Sequence, residues 1–230
     1  MTEIELQGTP PARVQVRKSA RAKRFTLRVS RLDGRVTLSM PPRAAWADAV
    51  TFIETQTAWI RSQLEKHVPA ERIGFGSQLP VEGRLARVVS TETRRGELAG
   101  DLIEIPRKAP APGVHVEMLL KALARERLEE TSRLHARTLG RSYSALALRD
   151  TRSRWGSCSS NGRLMYSWRL IMAPPDVLDY VVAHEVAHLA EMNHSPAFWQ
   201  TVRRLCPGYD IPRAWLRREG AGLHRYRFRD

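Results

Sequence analysis

Two histidines four residues apart, His184 and His188, most constrain what this chain can fold into. On an α-helix, positions i and i+4 lie about 40° apart around the axis and about 6 Å apart along it. Two imidazoles at that separation can reach one Zn²⁺ ion at nitrogen distances of about 2.0–2.1 Å. The spacing therefore predicts a zinc site on a helix.

Glu185 follows the first histidine and is predicted to be the general base of this site. Its side chain points about 100° away from His184 around the helix axis, which makes it a poor third ligand. A carboxylate there is well placed to hold a water at an open coordination position and to take its proton. The neighbouring helix residues are apolar, so their burial would desolvate the metal.

A catalytic zinc ion needs three protein ligands and an open position, and His194 is the candidate for the third ligand. Asn193 tolerates the left-handed conformation that commonly ends a helix. Ser195 and Pro196 are typical of an N-cap followed by proline at the first helical position, so a new helix should begin there. His194 would then lie in the corner between two helices, within reach of the metal.

Glu191 is a possible rival of His194. The spacing from His184 to His194 equals that of metzincins. Metzincins have a glycine at the position of Glu191, and they close the site with a turn that contains a methionine. In this chain no methionine follows His194. Because glutamate favours helix, the zinc helix is predicted to continue towards Asn193. Glu191 would share the face of the histidines as a competing ligand, as an acceptor that orients an imidazole, or as a solvated side chain.

Four segments of the chain resemble the YgjP-like metallopeptidase family, itself similar to the SprT-like proteases. In one-letter code they are RWGSCS (154–159), SWRL (167–170), DYVVAHE (179–185) and NHSPAFW (193–199). The basic N-terminal stretch through Ile60 is also similar, so the resemblance covers most of the chain. Ser167 departs from the family, which usually has asparagine at that position.

Carried over residue by residue, the resemblance implies His184, His188 and His194 as zinc ligands and Glu185 as the catalytic residue. It also implies one metallopeptidase domain over residues 12–224, and a peptide or protein as the substrate.

Hydropathy patterns predict an α+β fold with an N-terminal β-rich lobe over residues 12–106. Residues 13–40 alternate as strands around a turn at Asp33–Gly34, and a helix follows over 48–66. Short strands near 79–90 and 97–105 complete this lobe. The proline-rich stretch 106–113 is the best linker candidate.

The second lobe, residues 112–224, is predicted to be a helical, zincin-like catalytic lobe with a β-hairpin. A long helix spans 114–139, a hairpin within 146–170 turns at Asn161–Gly162, and the zinc helix begins after Asp176. A strand at 145–152 or 163–169 could pair with an extended peptide, or both strands could be fully paired inside one sheet.

Composition excludes some classes of protein. No segment approaches the about 18–20 continuous apolar residues of a membrane span, and the N-terminus lacks the apolar core of a secretory signal. The two cysteines, Cys158 and Cys206, have no metal-site spacing, which favours a reduced, cytoplasmic compartment. Cys158 could approach the zinc or be a small buried residue.

Positive charge is concentrated towards both ends of a chain with a net charge of +14. Residues 13–43 contain ten lysines and arginines against Asp33 alone, and residues 213–229 contain six arginines. This density could bind the phosphates of a nucleic acid or a nucleotide, or it could be a solvated, arginine-rich surface.

Three functions follow from these features. The first is a zinc-dependent metallopeptidase-like hydrolase, with a metal-activated water and Glu185 as the base. The second is a metal-dependent phosphohydrolase acting on nucleotides, with Arg152, Arg154 or Arg169 neutralising phosphate charge. The third is an SprT-like protease or a binding protein that acts on nucleic-acid-associated proteins.

Overall fold

Helices alternate with several small β-sheets, so the predicted α+β class is confirmed. This computed structural model describes residues 2–6, 11–30, 33–65 and 69–229, and it contains six α-helices within them. The chain divides into two compact units, Met1–Ala70 and Glu71–Asp230.

A four-stranded sheet and two helices form the first unit. The strands are β1 (Thr2–Leu6), β2 (Ala12–Lys18), β3 (Thr26–Val29) and β4 (Val36–Met40), in the order β1-β2-β4-β3. β2 and β4 are parallel, and the two outer pairs are antiparallel. The predicted turn at Asp33–Gly34 is present: Gly34 has φ 68°, and the Ser30 N–H donates to the Arg35 carbonyl at 2.8 Å.

The helix predicted over residues 48–66 is two helices, α1 (Trp46–Thr55) and α2 (Thr57–Glu65), and residue 66 lies outside the described residues. Threonines flank the break at Gln56, and their hydroxyls donate to the carbonyls of Phe52 and Ile53. Hydroxyl bonds of this kind compete with the helical ladder, which explains the interruption. Ile53 and Ile60 are fully buried in one cluster with residues of the sheet.

The second unit contains nine strands and four helices in its described part. The strands are β5 (Glu71–Arg72), β6 (Gln78–Val81), β7 (Arg84–Thr91), β8 (Glu97–Ala99), β9 (Leu102–Pro106), β10 (Ala145–Arg149), β11 (Gly156–Cys158), β12 (Arg163–Ser167) and β13 (Tyr226–Arg227). The helices are α3 (Pro112–Leu139), α4 (Pro175–Ala187), α5 (Pro196–Leu205) and α6 (Asp210–Glu219). The sheets are β6-β7-β9-β8, β10-β12-β11 and β13-β5.

The boundary between the units falls at Ala70–Glu71 and not within the 106–113 stretch proposed from the sequence. Leu79, Val88 and Ile103, from β6, β7 and β9, are fully buried in the same cluster as Leu120 and Leu128 of α3. Because these strands share one core with the long helix, residues 71–106 belong with the C-terminal helices.

The predicted hairpin within 146–170 is shorter than expected. β11 and β12 form the antiparallel pair, and Gly162 in their turn has φ 70°, as the Asn161–Gly162 signal predicts. β10 instead pairs in parallel with the other side of β12. β12 is therefore the central strand of this sheet, and β10 and β11 are its edges.

Membrane-spanning helices were searched for among the described residues. None of the helices there is both long and apolar enough to cross a bilayer.

Candidate metal centre

The candidate centre is built on α4, whose sequence explains where it begins and ends. Prolines at 174 and 175 suit the first turn, where a proline loses no helical hydrogen bond. The helix ends at Ala187, earlier than predicted from the helix propensity of Glu191. The Leu189 N–H bonds to the Val186 carbonyl and the Ala190 N–H to the Ala187 carbonyl, the i→i+3 bonds that tighten a last turn.

The turn after α4 places His194 as predicted, but by another device than the one expected. Asn193 does not have the positive φ of a left-handed residue. Its side-chain Oδ1 instead accepts the Ser195 N–H at 3.1 Å, which is an Asx turn. The Ser195 hydroxyl then accepts the Phe198 N–H at 3.4 Å, and Pro196 follows it, so α5 has the predicted N-cap.

His184, His188 and His194 come together in space. One nitrogen of each ring lies within 4.8 Å of the corresponding atom of the other two, an arrangement that could hold a metal ion. The Nε2 atoms of His184 and His194 are 3.2 Å apart. The group found in the described residues includes neither Glu191 nor Cys158.

The hydrogen bonds of the rings suit a metal site. The Nδ1 of His188 lies 2.9 Å from the backbone carbonyl of Glu191, which can only accept, so this Nδ1 carries the proton and Nε2 keeps its lone pair. The Nδ1 of His184 is buried with no hydrogen-bond partner among the described groups. Imidazole lone pairs that converge in this way fit a zinc ion.

Burial lowers the pKa values of two of the three histidines, His184 and His188. It lowers the pKa of His184 to about 4, and the neighbouring imidazoles add to the effect. Burial also lowers the pKa of His188, against the bond to the Glu191 carbonyl, which raises it. Because a histidine binds a metal through its neutral form, both rings can act as ligands without first losing a proton.

Phe198 is a residue of the site that the sequence did not indicate. Its ring is fully buried and lies 4.9, 4.5 and 4.7 Å, between centroids, from the rings of His184, His188 and His194. Phe198 therefore packs against all three imidazoles and fixes their orientation. The only local signal was its position four residues after His194, at the start of a capped helix.

Glu185 is 6% exposed and lies against β11. Its carboxylate accepts the backbone N–H of Cys158, so Cys158 contributes a backbone group to the site. Burial raises the pKa of Glu185 to about 7, and the charge of Arg154 and the Cys158 N–H partly oppose that rise. Burial also raises the pKa of the Cys158 thiol to about 11, which keeps that sulfur protonated.

Gly156 leaves the space that Glu185 occupies. A Cβ at position 156 would lie 2.6 Å from the Glu185 Cγ and 2.7 Å from its Oε1, closer than van der Waals contact allows. The glycine of the RWGSCS segment is therefore required for the observed position of the carboxylate.

Gly156→Ala is expected to displace Glu185 and to lower turnover about 100-fold, the cost of a displacement of about 1 Å at a reacting group. The protein should retain its metal, because the metal-binding group consists of His184, His188 and His194. Steady-state kinetics and elemental analysis measure the two quantities. Gly222→Ala is the control, since a Cβ there meets nothing within 4 Å. Equal turnover in the two variants would show that the position of Glu185 does not matter.

The arginines suggested for phosphate binding occupy different environments. Arg169 is buried, donates to both carboxylate oxygens of Asp150 at 2.7 and 3.1 Å, and also donates to the carbonyls of Leu223 and Tyr226. It therefore holds the C-terminal segment. Arg152 and Arg154 are exposed, and only the charge of Arg154 acts on Glu185.

These observations define a mixed α+β protein with a histidine cluster and a buried carboxylate of the kind that metal-dependent hydrolases use. A family model described as the YgjP-like metallopeptidase domain matches residues 23–219 and so extends over both units. The chain belongs to the YgjP-like metallopeptidase family.

Two other comparisons add less. The crystal structure of the metallopeptidase zymogen of Pyrococcus abyssi abylysin is similar at 20% sequence identity and a TM-score of 0.36, over 39% of this chain and 93% of that chain. A search of curated proteins finds none that matches.

Proposed function

We propose that this chain is a zinc metallopeptidase whose metal ligands are His184, His188 and His194 and whose general base is Glu185. The observation that carries the proposal is the convergence of three imidazoles, two of them on the helix that also carries the buried carboxylate of Glu185. Three histidine ligands would leave a coordination position for water or substrate, as catalytic zinc sites require. When bound, zinc would supply Lewis acidity, which polarises a carbonyl group and lowers the pKa of a water molecule.

Glu185 has the position and the environment of a proton-transfer group. Its carboxylate would take a proton from the attacking water and deliver it to the nitrogen of the departing amine. A carboxyl group with a pKa of about 7 can do both near neutral pH. The Cys158 N–H holds one side of this carboxylate, and Gly156 leaves it room.

The edge of β11 that is not paired with β12 supports a peptide as the substrate. The Trp155 carbonyl accepts the Ser167 N–H at 2.8 Å, and the Ser159 N–H donates to Arg163 at 3.0 Å, so these residues face β12. Because alternate residues of an antiparallel strand face opposite edges, Gly156 lies with its backbone groups turned away from β12. An extended peptide paired with this edge would lie beside Glu185.

Space for the side chains of such a peptide is present next to His188. A cavity of about 630 Å³ includes His188 in its wall. Polar residues of the turn after β11 line one side, and Leu189 and Met192 line another. The two strands proposed from the sequence, at 145–152 and 163–169, are less suitable for pairing with a peptide. The second contains β12, which is paired on both sides, and the first contains the edge strand β10. Glu185 lies against the other edge strand, β11.

The proposal predicts hydrolysis of casein that stops when a chelator removes the metal and returns when one equivalent of zinc is added. Nucleoside triphosphates and a DNA-bound protein are tested in the same buffer, at the same enzyme concentration. If zinc-dependent release of phosphate is observed and casein stays intact, the protein is a phosphohydrolase and not a peptidase. Cleavage of the DNA-bound protein alone would favour the SprT-like function.

A further inference from the structure

Arg213, on α6, is a cation without a carboxylate partner among the described residues. Its neighbour Arg218 pairs with Glu219, whereas none of the ion pairs in the described part of the chain includes Arg213. The side chain of Arg213 is half-buried. A guanidinium that is partly withdrawn from water and has no carboxylate partner is available to bind an anionic group.

Trp199 holds this guanidinium in place. The Cζ of Arg213 lies 4.5 Å from the centroid of the Trp199 ring, which is within the range of a cation–π contact. Trp199 in turn stacks on Tyr209, at 5.5 Å between centroids and 20° between planes, and Tyr209 stacks on Tyr180. This aromatic stack restricts the guanidinium before any ligand arrives, which lowers the entropic cost of binding.

The aromatic stack also links Arg213 to the histidine cluster. The Trp199 ring lies 5.7 Å from the ring of His184 and 5.9 Å from the ring of His194, between centroids. Tyr180, at the other end of the stack, lies 6.1 Å from His184. Burial lowers the pKa of His184 and raises that of Tyr180; the charge of Arg213 is close enough to add to the first shift and to oppose the second.

We propose that Arg213 binds a carboxylate of the substrate, so that the site selects peptides with a free carboxylate close to the bond that is cut. A planar guanidinium matches a carboxylate with two parallel hydrogen bonds, which a lysine does not reproduce. The inference rests on the proposed peptidase function and deepens it. The carboxylate is either the C-terminus of a short peptide or an acidic side chain, and the two can be separated by experiment.

The test is a binding measurement on the full chain with Glu185→Gln, which prevents turnover. Isothermal titration compares three blocked peptides: acetyl-tetraalanine with a free C-terminus, its C-terminal amide, and an amide with one alanine replaced by glutamate. We expect one of the two carboxylate peptides to bind about 10- to 100-fold more tightly than the neutral amide, the usual worth of a charged hydrogen bond.

Arg213→Met should abolish this preference, because it keeps an unbranched side chain and removes the charge. Arg213→Lys should retain only part of it, and a normal melting temperature for either variant shows that the fold is intact. Arg218→Met is the matched control on the same helix, since it removes the same charge from a side chain that is 70% exposed. It should leave the preference unchanged.

Two results would overturn the proposal. In the first, none of the carboxylate peptides is preferred. In the second, the preference survives in Arg213→Met or falls equally in Arg218→Met. Titrations with and without zinc identify a preference that comes from the metal itself. Such a preference would be lost when a chelator removes the zinc, but it would remain in Arg213→Met. Hydrolysis plays no part in this measurement, so failure of the peptidase function and failure of this subsite are separate outcomes.

Discussion

Glu185→Gln is expected to lower the rate of hydrolysis about 10²- to 10⁴-fold, the usual worth of a positioned proton-transfer group. The carboxamide has nearly the same shape, so it fits beside Gly156, and its oxygen can still accept the Cys158 N–H. It cannot take a proton from water at neutral pH. The loss should therefore fall on turnover, with fold and metal content unchanged.

Zinc content and turnover of the metal-loaded variant test this role together. Glu130→Gln is the control, because it removes the same charge from an exposed side chain of α3. Hydrolysis by Glu185→Gln at the wild-type rate would rule out a general base at this position. Loss of zinc from that variant would instead show that Glu185 coordinates the metal.

Local sequence features were sufficient to predict that the three histidines lie close together. The helical spacing of His184 and His188 needs only the geometry of an α-helix, and the N-cap at Ser195 follows from side-chain chemistry within four residues. These local features also determine where His194 lies. The local features did not predict where α4 ends. The helix propensity of Glu191 is outweighed by the tight turn after Ala187 and by the bond between the Glu191 carbonyl and His188.

Contacts between residues far apart in the chain could not be predicted from the sequence. Gly156 and Glu185 are far apart in sequence, so the close approach of a glycine to the carboxylate has no local signal. The pairing partner of each strand has no local signal either. Alternation predicts that β10 and β12 are strands, but it does not predict that they pair in parallel, because register depends on which faces become buried.

The unit boundary was misplaced for a similar reason. The prolines near residue 110 are typical of a linker, and they instead precede the start of α3 at Pro112. Whether strands β6–β9 join the first or the second unit depends on the core that they share with α3. Shared burial is a property of the folded chain, and hydropathy along one segment cannot reveal it.

Loss of a histidine ligand is the other large effect expected. The wild-type protein should purify with about one zinc ion per chain, and His188→Ala should lose most of it, because one of three ligands is gone. His194→Ala should be equally damaging, although His194 is exposed and lies in a turn, because its Nε2 already faces that of His184. Elemental analysis after dialysis against a weak chelator measures the retained metal. His115→Ala is the control, since among the described residues His115 bonds only to the Ala111 carbonyl at the start of its own helix.

Glu191→Ala separates the histidine assignment from its rival. The substitution keeps the backbone carbonyl that bonds to His188, and the described cluster does not include the Glu191 side chain. We therefore expect zinc affinity to fall by about 10-fold at most, the lower end of the range for a group that only orients a ligand. Competition with a zinc-binding dye places Glu191→Ala and His194→Ala on one scale. If Glu191→Ala is the more damaging variant, the site has two histidines and a glutamate as ligands, and His194 is not one of them.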